Sequence, residues 1–163
     1  MFTIGQVVIH NRDICKVAQV VKKYREDKDY YKLQIMDDSG VTIYTPVESS
    51  GELLRLPMTE QEALALVENI PSIPPVEISN FKAGQEYKAL VDSGDHTNLV
   101  RVIKTSYHRS EQSTANHKKV GENDKVYFRL AERLLYDELA VALNMTYAEA
   151  RDYVVSRVAA LTA

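Results

Sequence analysis

Metal or nucleophilic chemistry would have to come from four histidines, one cysteine and a few paired carboxylates. His10, His96, His108 and His117 never stand three or four residues apart, the spacing that puts two ligands on one helix face. The single cysteine, Cys15, sits between Ile14 and Val17 in a strand pattern, which makes it a packing residue and excludes an internal disulfide framework. Neither Gly-x-x-x-x-Gly-Lys-Ser/Thr nor Gly-x-Gly-x-x-Gly occurs, and Ser93-Gly94-Asp95 lies between two helical patterns, where capping explains it better than phosphate binding. Asp37-Asp38 belongs to a turn, and Asp137-Glu138 to a long helical pattern with one residue facing solvent. The chain therefore reads as a non-enzyme with no cofactor and no metal site, one that works by binding.

Charge and composition narrow what it binds. With 163 residues and 45% hydrophobic content the chain can bury a sizeable core. No stretch approaches the roughly 20 apolar residues of a membrane span. Met1 to His10 lacks the basic start and apolar run of a signal peptide, so a cytoplasmic protein with no membrane partner is expected. The net charge of −3 is unevenly spread. Residues 1 to 58 hold eight basic and eight acidic side chains, residues 59 to 80 hold none against four, and residues 81 to 135 hold ten against seven. A local surplus of three positive charges is consistent only with weak, salt-sensitive contact to nucleic acid.

The elements that would position such contacts fall into two kinds, separated by Asn69 to Phe81, where Pro71, Pro74 and Pro75 can continue neither a helix nor a central strand. This segment reads as a stiff joint between two modules. Before it, Phe2, Ile4 and Val8 surround a turn or bulge at Gly5. A strand over about Val7 to His10 follows, then an apolar run through Val17, Val20 and Val21 to a charged tip at Arg25 to Asp29. Tyr31, Leu33 and Ile35 alternate with Lys32 and Gln34, Asp37 to Gly40 turns, and Val41 to Thr45 and Glu52 to Leu56 supply two further strands. Five short strands over 1 to 57 predict a small SH3-like or Tudor-like barrel with exposed edges.

From residue 58 to 163 the apolar spacing is helical, and an all-α bundle of about five helices is expected, giving an α+β chain. Thr59-x-x-Glu62 and Thr146-x-x-Glu149 are capping boxes, Ser79 and Asp95 are N-cap candidates, and Gly94 suits a left-handed C-terminal position. His108 to Asn123 has almost no apolar residues and reads as a mobile loop, after which Asp124 opens the longest helix. On the helix that Asp95 caps, Leu99, Val100, Ile103 and Tyr107 share one face. Arg101, Lys104 and Arg109 fall elsewhere and are candidate phosphate contacts.

In order and spacing these residues resemble a family, the CarD/CdnL type of bacterial RNA polymerase-binding transcription regulators. The likeness rests on Phe2-x-Ile4-Gly5-Gln6 with Val8, Cys15-Lys16-Val17, Tyr30-Tyr31-x-Leu33, and Val41 to Pro46 followed by Leu54-Arg55. In the helical half it rests on Ser93-Gly94-Asp95 with Leu99 to Ile103, and on Asp124-Lys125 followed by Ala131-x-x-Leu134-Leu135-x-x-Glu138-Leu139-Ala140. It covers nearly the whole chain.

The resemblance implies that the β domain pairs a strand edge with the polymerase β subunit while the helical domain touches promoter DNA at the upstream edge of the melted bubble. By alignment the polymerase-contacting positions are Lys23 and Tyr44. Basic residues are usual in the family at both, so Tyr44 is a departure, and it reads either as a contact or as an outward strand aromatic. The family typically wedges a tryptophan into the minor groove, but this chain has none. Alignment puts Asn80 at that position with Phe81 beside it, and Phe81 reads either as the apolar wedge or as a packing residue between helices. Arg12-Asp13 stands where the family has a glycine-containing turn. The expected function is modulation of open-complex stability. The other reading is an adaptor whose β-barrel module binds a different protein and never meets DNA.

Overall fold

The computed structural model describes residues 1–37 and 39–163; Asp38 of the expected Asp37 to Gly40 turn lies outside the described residues. The chain divides into two compact units, Met1–Pro57 and Met58–Ala163.

In the first unit the strands are β1 (Val7–His10), β2 (Asp13–Arg25), β3 (Lys28–Ile35) and β4 (Thr42–Pro46). A 3-10 turn (Val47–Ser49) and a single helical turn, α1 (Ser50–Leu53), then lead to β5 (Leu54–Arg55). All pairings are antiparallel, in the order β4-β3-β2-β1-β5. The register follows from side-chain alternation: Tyr31 and Leu33 point inward with Val8, Cys15, Val17 and Leu54 to form the core, while Lys32 and Gln34 take the other face. Gly5, at φ +91, makes the turn that lets Gly5 N–H and Gln6 C=O bond to Val17 before β1 begins. At the β2–β3 tip Glu26 and Asp27 both adopt left-handed backbone, φ 52 and 61, as a two-residue hairpin turn requires.

The expected barrel is an open sheet. β4 and β5 lie at opposite edges, and β5 pairs only two residues with β1, too few to carry the ladder round to β4. The β1–β2 ladder ends at Val7 opposite Lys16, whereas β2–β3 pairing runs out to Arg25 opposite Lys28, so the distal half of β2 has lost β1 as a neighbour while β3 still pairs β4 as far as Tyr30 opposite Pro46. Register shifts after Val17 and after Val21 interrupt the β2–β3 ladder, and Lys23 sits within the second at φ 50.

In the second unit the helices are α2 (Glu60–Asn69), α3 (Ala83–Asp92), α4 (His96–Ala115), α5 (Glu122–Leu143) and α6 (Tyr147–Thr162). Both capping boxes form, with Thr59 and Glu62 exchanging bonds of 3.1 and 3.1 Å and Thr146 and Glu149 bonds of 3.0 and 3.1 Å. Asp95 caps α4 through Thr97 N–H at 2.9 Å, and Gly94 is left-handed at φ +76. Ser79 precedes a 3-10 turn (Asn80–Lys82) and makes no side-chain cap. Val67, Tyr87, Val102, Ala131, Leu139 and Ala150 lie at the centre of one core shared by the five helices. No helix among the described residues is long and apolar enough to cross a membrane.

Two expectations change here. The segment read as a mobile loop is helical as far as Ala115: α4 runs on with its polar residues in water, and Ser106, Ser110 and Thr114 each donate back to the carbonyl four residues earlier. A helix exposed on most sides needs few apolar residues, so their absence did not mark a loop. It ends at Asn116 and His117, the latter left-handed at φ 57, with Lys118 N–H closing on Ser113 C=O at 2.8 Å. The proline-rich segment, in turn, is no spacer between modules. It lies inside the helical unit, with Ile70, Ile73 and Ile78 buried in its core.

Candidate functional site

Prolines cannot donate, and apart from a 3-10 turn over Ile70–Ser72, closed by Ile73 N–H on Ile70 C=O, and the turn after Ser79, the backbone of residues 70 to 80 needs partners from elsewhere. Helix α4 supplies them with three side chains. Lys104 Nζ donates to the carbonyls of Ile70 and Ile73, the second at 2.6 Å. Thr105 Oγ1 accepts from Val76 N–H at 2.9 Å. Arg109 donates to Ile78 C=O at 2.6 Å and to the Asn80 side-chain oxygen. The Arg109 guanidinium is itself held by Asp124 of α5, Nε to Oδ1 at 2.9 Å, and the same oxygen accepts from the buried Tyr87 hydroxyl at 2.6 Å. Burial and this carboxylate both push the Tyr87 hydroxyl well above its usual pKa. Asp124, expected to open the helix, is instead the buried hub where α3, α4 and α5 meet.

Phe81 follows directly on this clamp. Its backbone is fixed by the 3-10 turn and by the anchored Ile78 and Asn80, yet its ring is 94% exposed and takes no part in the helical core. Of the two sequence readings, packing between helices is the one this geometry removes. Lys82 is next in sequence, and a cavity of about 580 Å³ opens beside Asn80, with Lys118 and Lys119 also in its lining.

The candidate phosphate contacts separate by partner. Arg109 and Lys104 spend their donors on the proline-rich segment, and burial lowers the Lys104 pKa. Arg101 donates to Asn98 at 2.6 Å from a half-buried position. Lys82, next to Phe81 in sequence, and Lys118 and Lys119, which line the cavity with Asn80, are exposed, and the sequence reading did not single them out. The signal that could have found them was weak: two adjacent lysines before a glycine, in a stretch taken for a loop.

In the β unit Tyr44 lies on edge strand β4, and its ring stacks on Tyr24 at 4.5 Å between centroids and 6° between planes. Tyr24 meets Tyr30 edge-on at 5.3 Å. Tyr24 and Tyr44 remain 43% and 38% exposed, so the three rings make an aromatic ledge on the outer side of the sheet. Lys23, beside Tyr24, has its backbone N–H on Asp29 Oδ1 at 3.1 Å and its Nζ 3.8 Å from Asp27. The structure thus brings Lys23 and Tyr44 to one end of the sheet through Tyr24, whose role no sequence pattern announced.

Of the residues weighed for chemistry, Cys15, His96 and Glu138 have structural roles. Cys15 is buried, and burial together with Asp13 raises its thiol to about 11, which leaves it unreactive near neutral pH. His96 is half-buried, its Nε2 2.9 Å from the buried Glu138, whose Oε2 also accepts from Met58 N–H at 2.9 Å. Glu138 therefore pins the first residue of the helical unit. Burial raises the Asp137 pKa, with Arg133 opposing. A carboxyl raised on folding favours the folded state while protonated and loses that contribution as pH climbs through its folded pKa. Asp137→Asn should thus raise the melting temperature at pH 7, with the gain vanishing below about pH 4, where both folded and unfolded chains are protonated. A gain equal at pH 3 and pH 7 would assign the effect to packing.

Comparison with protein-family models and with curated proteins returns no match for the chain.

Proposed function

We propose that this chain is a non-catalytic transcription regulator that binds the β subunit of a bacterial RNA polymerase through residues 1 to 57 and promoter DNA through residues 58 to 163. The resemblance in sequence supplies the partners. The observation that carries the DNA half is Phe81, a phenyl ring held 94% in water on a clamped turn. Leaving such a ring exposed forgoes about 2–3 kcal/mol of burial, a cost recovered if it inserts between base steps. Lys82, Lys118 and Lys119 are the phosphate contacts in this reading, with Arg101, toward the other end of α4, a further one, while Lys104 and Arg109 position the wedge. A few cations give weak affinity for free duplex, so contact depends on polymerase presenting the promoter at a local concentration of roughly millimolar.

In the β unit, an SH3/Tudor-like domain in this reading, the polymerase strand adds at the exposed edge, with Tyr44 and Tyr24 offering apolar area and Lys23 a steering charge. The ledge also supports the second reading, an adaptor for another protein, since stacked tyrosines are suited to many partners.

The test is the lifetime of polymerase-promoter open complexes under competitor. Wild-type protein should lengthen it. Lys23→Gln, which removes the charge without adding repulsion to Asp27 and Asp29, should need several-fold more protein at 150 mM salt than wild type and little more at low salt. A lifetime unmoved by saturating wild-type protein would leave the adaptor reading standing alone.

A further inference from the structure

The cavity beside Asn80 is built from unusual material for a dent between helices. Its volume, about 580 Å³, falls within the ~300–1,000 Å³ of small-ligand sites. Four carboxamide residues, Asn80, Gln112, Asn116 and Asn123, are in its lining, the Asn80 oxygen being taken by Arg109, and Lys118 and Lys119 line it from the turn after α4. Arg109 and Asp124 in its lining are bonded to each other, which leaves Lys118 and Lys119 against the single carboxylate of Glu122. A carboxamide presents a donor and an acceptor in one plane, the pattern that matches a base edge, with asparagine and glutamine the usual partners of adenine. The left-handed His117 and the Lys118 N–H to Ser113 bond fix where the two lysines emerge.

We propose that this cavity receives one unstacked nucleobase, its edge on Gln112 and Asn116 and its phosphate on Lys118 and Lys119. The inference rests on the reading of Phe81 as a DNA wedge and deepens it. A wedge that opens a base step displaces a base, and that base otherwise pays its unstacking in water. Asn80 lines the cavity and Phe81 is the next residue, so the displaced base has a polar receptacle one residue away. The chemistry, a nucleobase with its phosphate, is shared by melted DNA and by a free mononucleotide, and we assign it to DNA because the exposed ring of Phe81, the residue after Asn80, has no use for a free nucleotide.

The experiment uses full-length protein with polymerase holoenzyme and promoter DNA carrying 2-aminopurine at successive positions across the upstream edge of the bubble. One position should change its fluorescence when the protein is added. Gln112→Leu and Asn116→Ala, both exposed and outside the Arg109 clamp, should abolish that change and shorten the open-complex lifetime about fivefold or more, with melting temperatures unaltered. If both variants keep the signal and the lifetime while Phe81→Ala loses the lifetime, the cavity inference is wrong and the wedge survives. If wild-type protein itself fails to alter the lifetime, both fall together. Titration with millimolar deoxyadenosine monophosphate, followed through side-chain amide resonances, is the second arm: shifts there without any 2-aminopurine signal overturn the DNA assignment in favour of a free nucleotide.

Discussion

Asp124→Ala is expected to destabilise the helical unit by about 3–5 kcal/mol, the cost of stripping one partner from a buried ion pair. The carboxylate is 3% exposed and one of its oxygens accepts from both Tyr87 and Arg109. Its loss leaves a phenol and a guanidinium facing each other with nothing between them. For a unit spanning Met58 to Ala163 this corresponds to a fall in melting temperature of roughly 10 °C or more, read from the helical circular-dichroism signal. Asp124→Asn keeps an acceptor at the same place and should cost less, while Arg109→Met together with Asp124→Leu should recover part of the loss, because removing both charges removes the unpaired one. A fall under about 2 °C for Asp124→Ala would mean that water replaces the carboxylate and that the hub is wetter than its geometry suggests.

That hub explains which parts of this fold a sequence can announce. Local chemistry was legible: Thr59 and Glu62, Thr146 and Glu149, Asp95 and Gly94 each act within four residues, so their types and spacing suffice. The alternation of Tyr31 and Leu33 with Lys32 and Gln34 was legible for the same reason. What depended on long-range partners was not. Lys104 and Arg109 looked like free cations because their acceptors, the carbonyls of Ile70, Ile73 and Ile78, lie about thirty residues away and carry no side-chain signature. The proline-rich segment looked like a joint because nothing in it says that α4 will satisfy its backbone. Closure of the sheet hinged on how many residues β5 would pair, two, which no local preference sets. Within the candidate site, the position of Phe81 came from alignment with a family pattern, but whether its ring faced the core was undecidable from spacing: a phenylalanine at the edge of a helical stripe fits either side.

Phe81→Ala is expected to shorten the open-complex lifetime about fivefold or more, the low end of what losing one base–aromatic stack costs, while leaving stability and polymerase binding unchanged. The ring is 94% exposed, so truncation forfeits little folded-state packing, and melting should shift by no more than an exposed substitution does, within about 0.5 kcal/mol. Phe81→Trp enlarges the stacking face without disturbing Asn80 and should lengthen the lifetime beyond wild type. Asn80→Trp puts an indole at the position the family resemblance points to, but it removes the acceptor that Arg109 uses to hold the turn. Its gain in stacking is therefore offset by a looser platform, and it should fall short of Phe81→Trp. The ordering Phe81→Trp, wild type, Phe81→Ala is the quantity to measure, by decay under competitor with polymerase saturated. If the three proteins melt alike and decay alike, the exposed ring has some occupant other than DNA, and the adaptor reading gains what the regulator reading loses. If Phe81→Ala weakens binding to polymerase before any promoter is added, the ring belongs to a protein contact, and the division of labour between the two units is drawn in the wrong place.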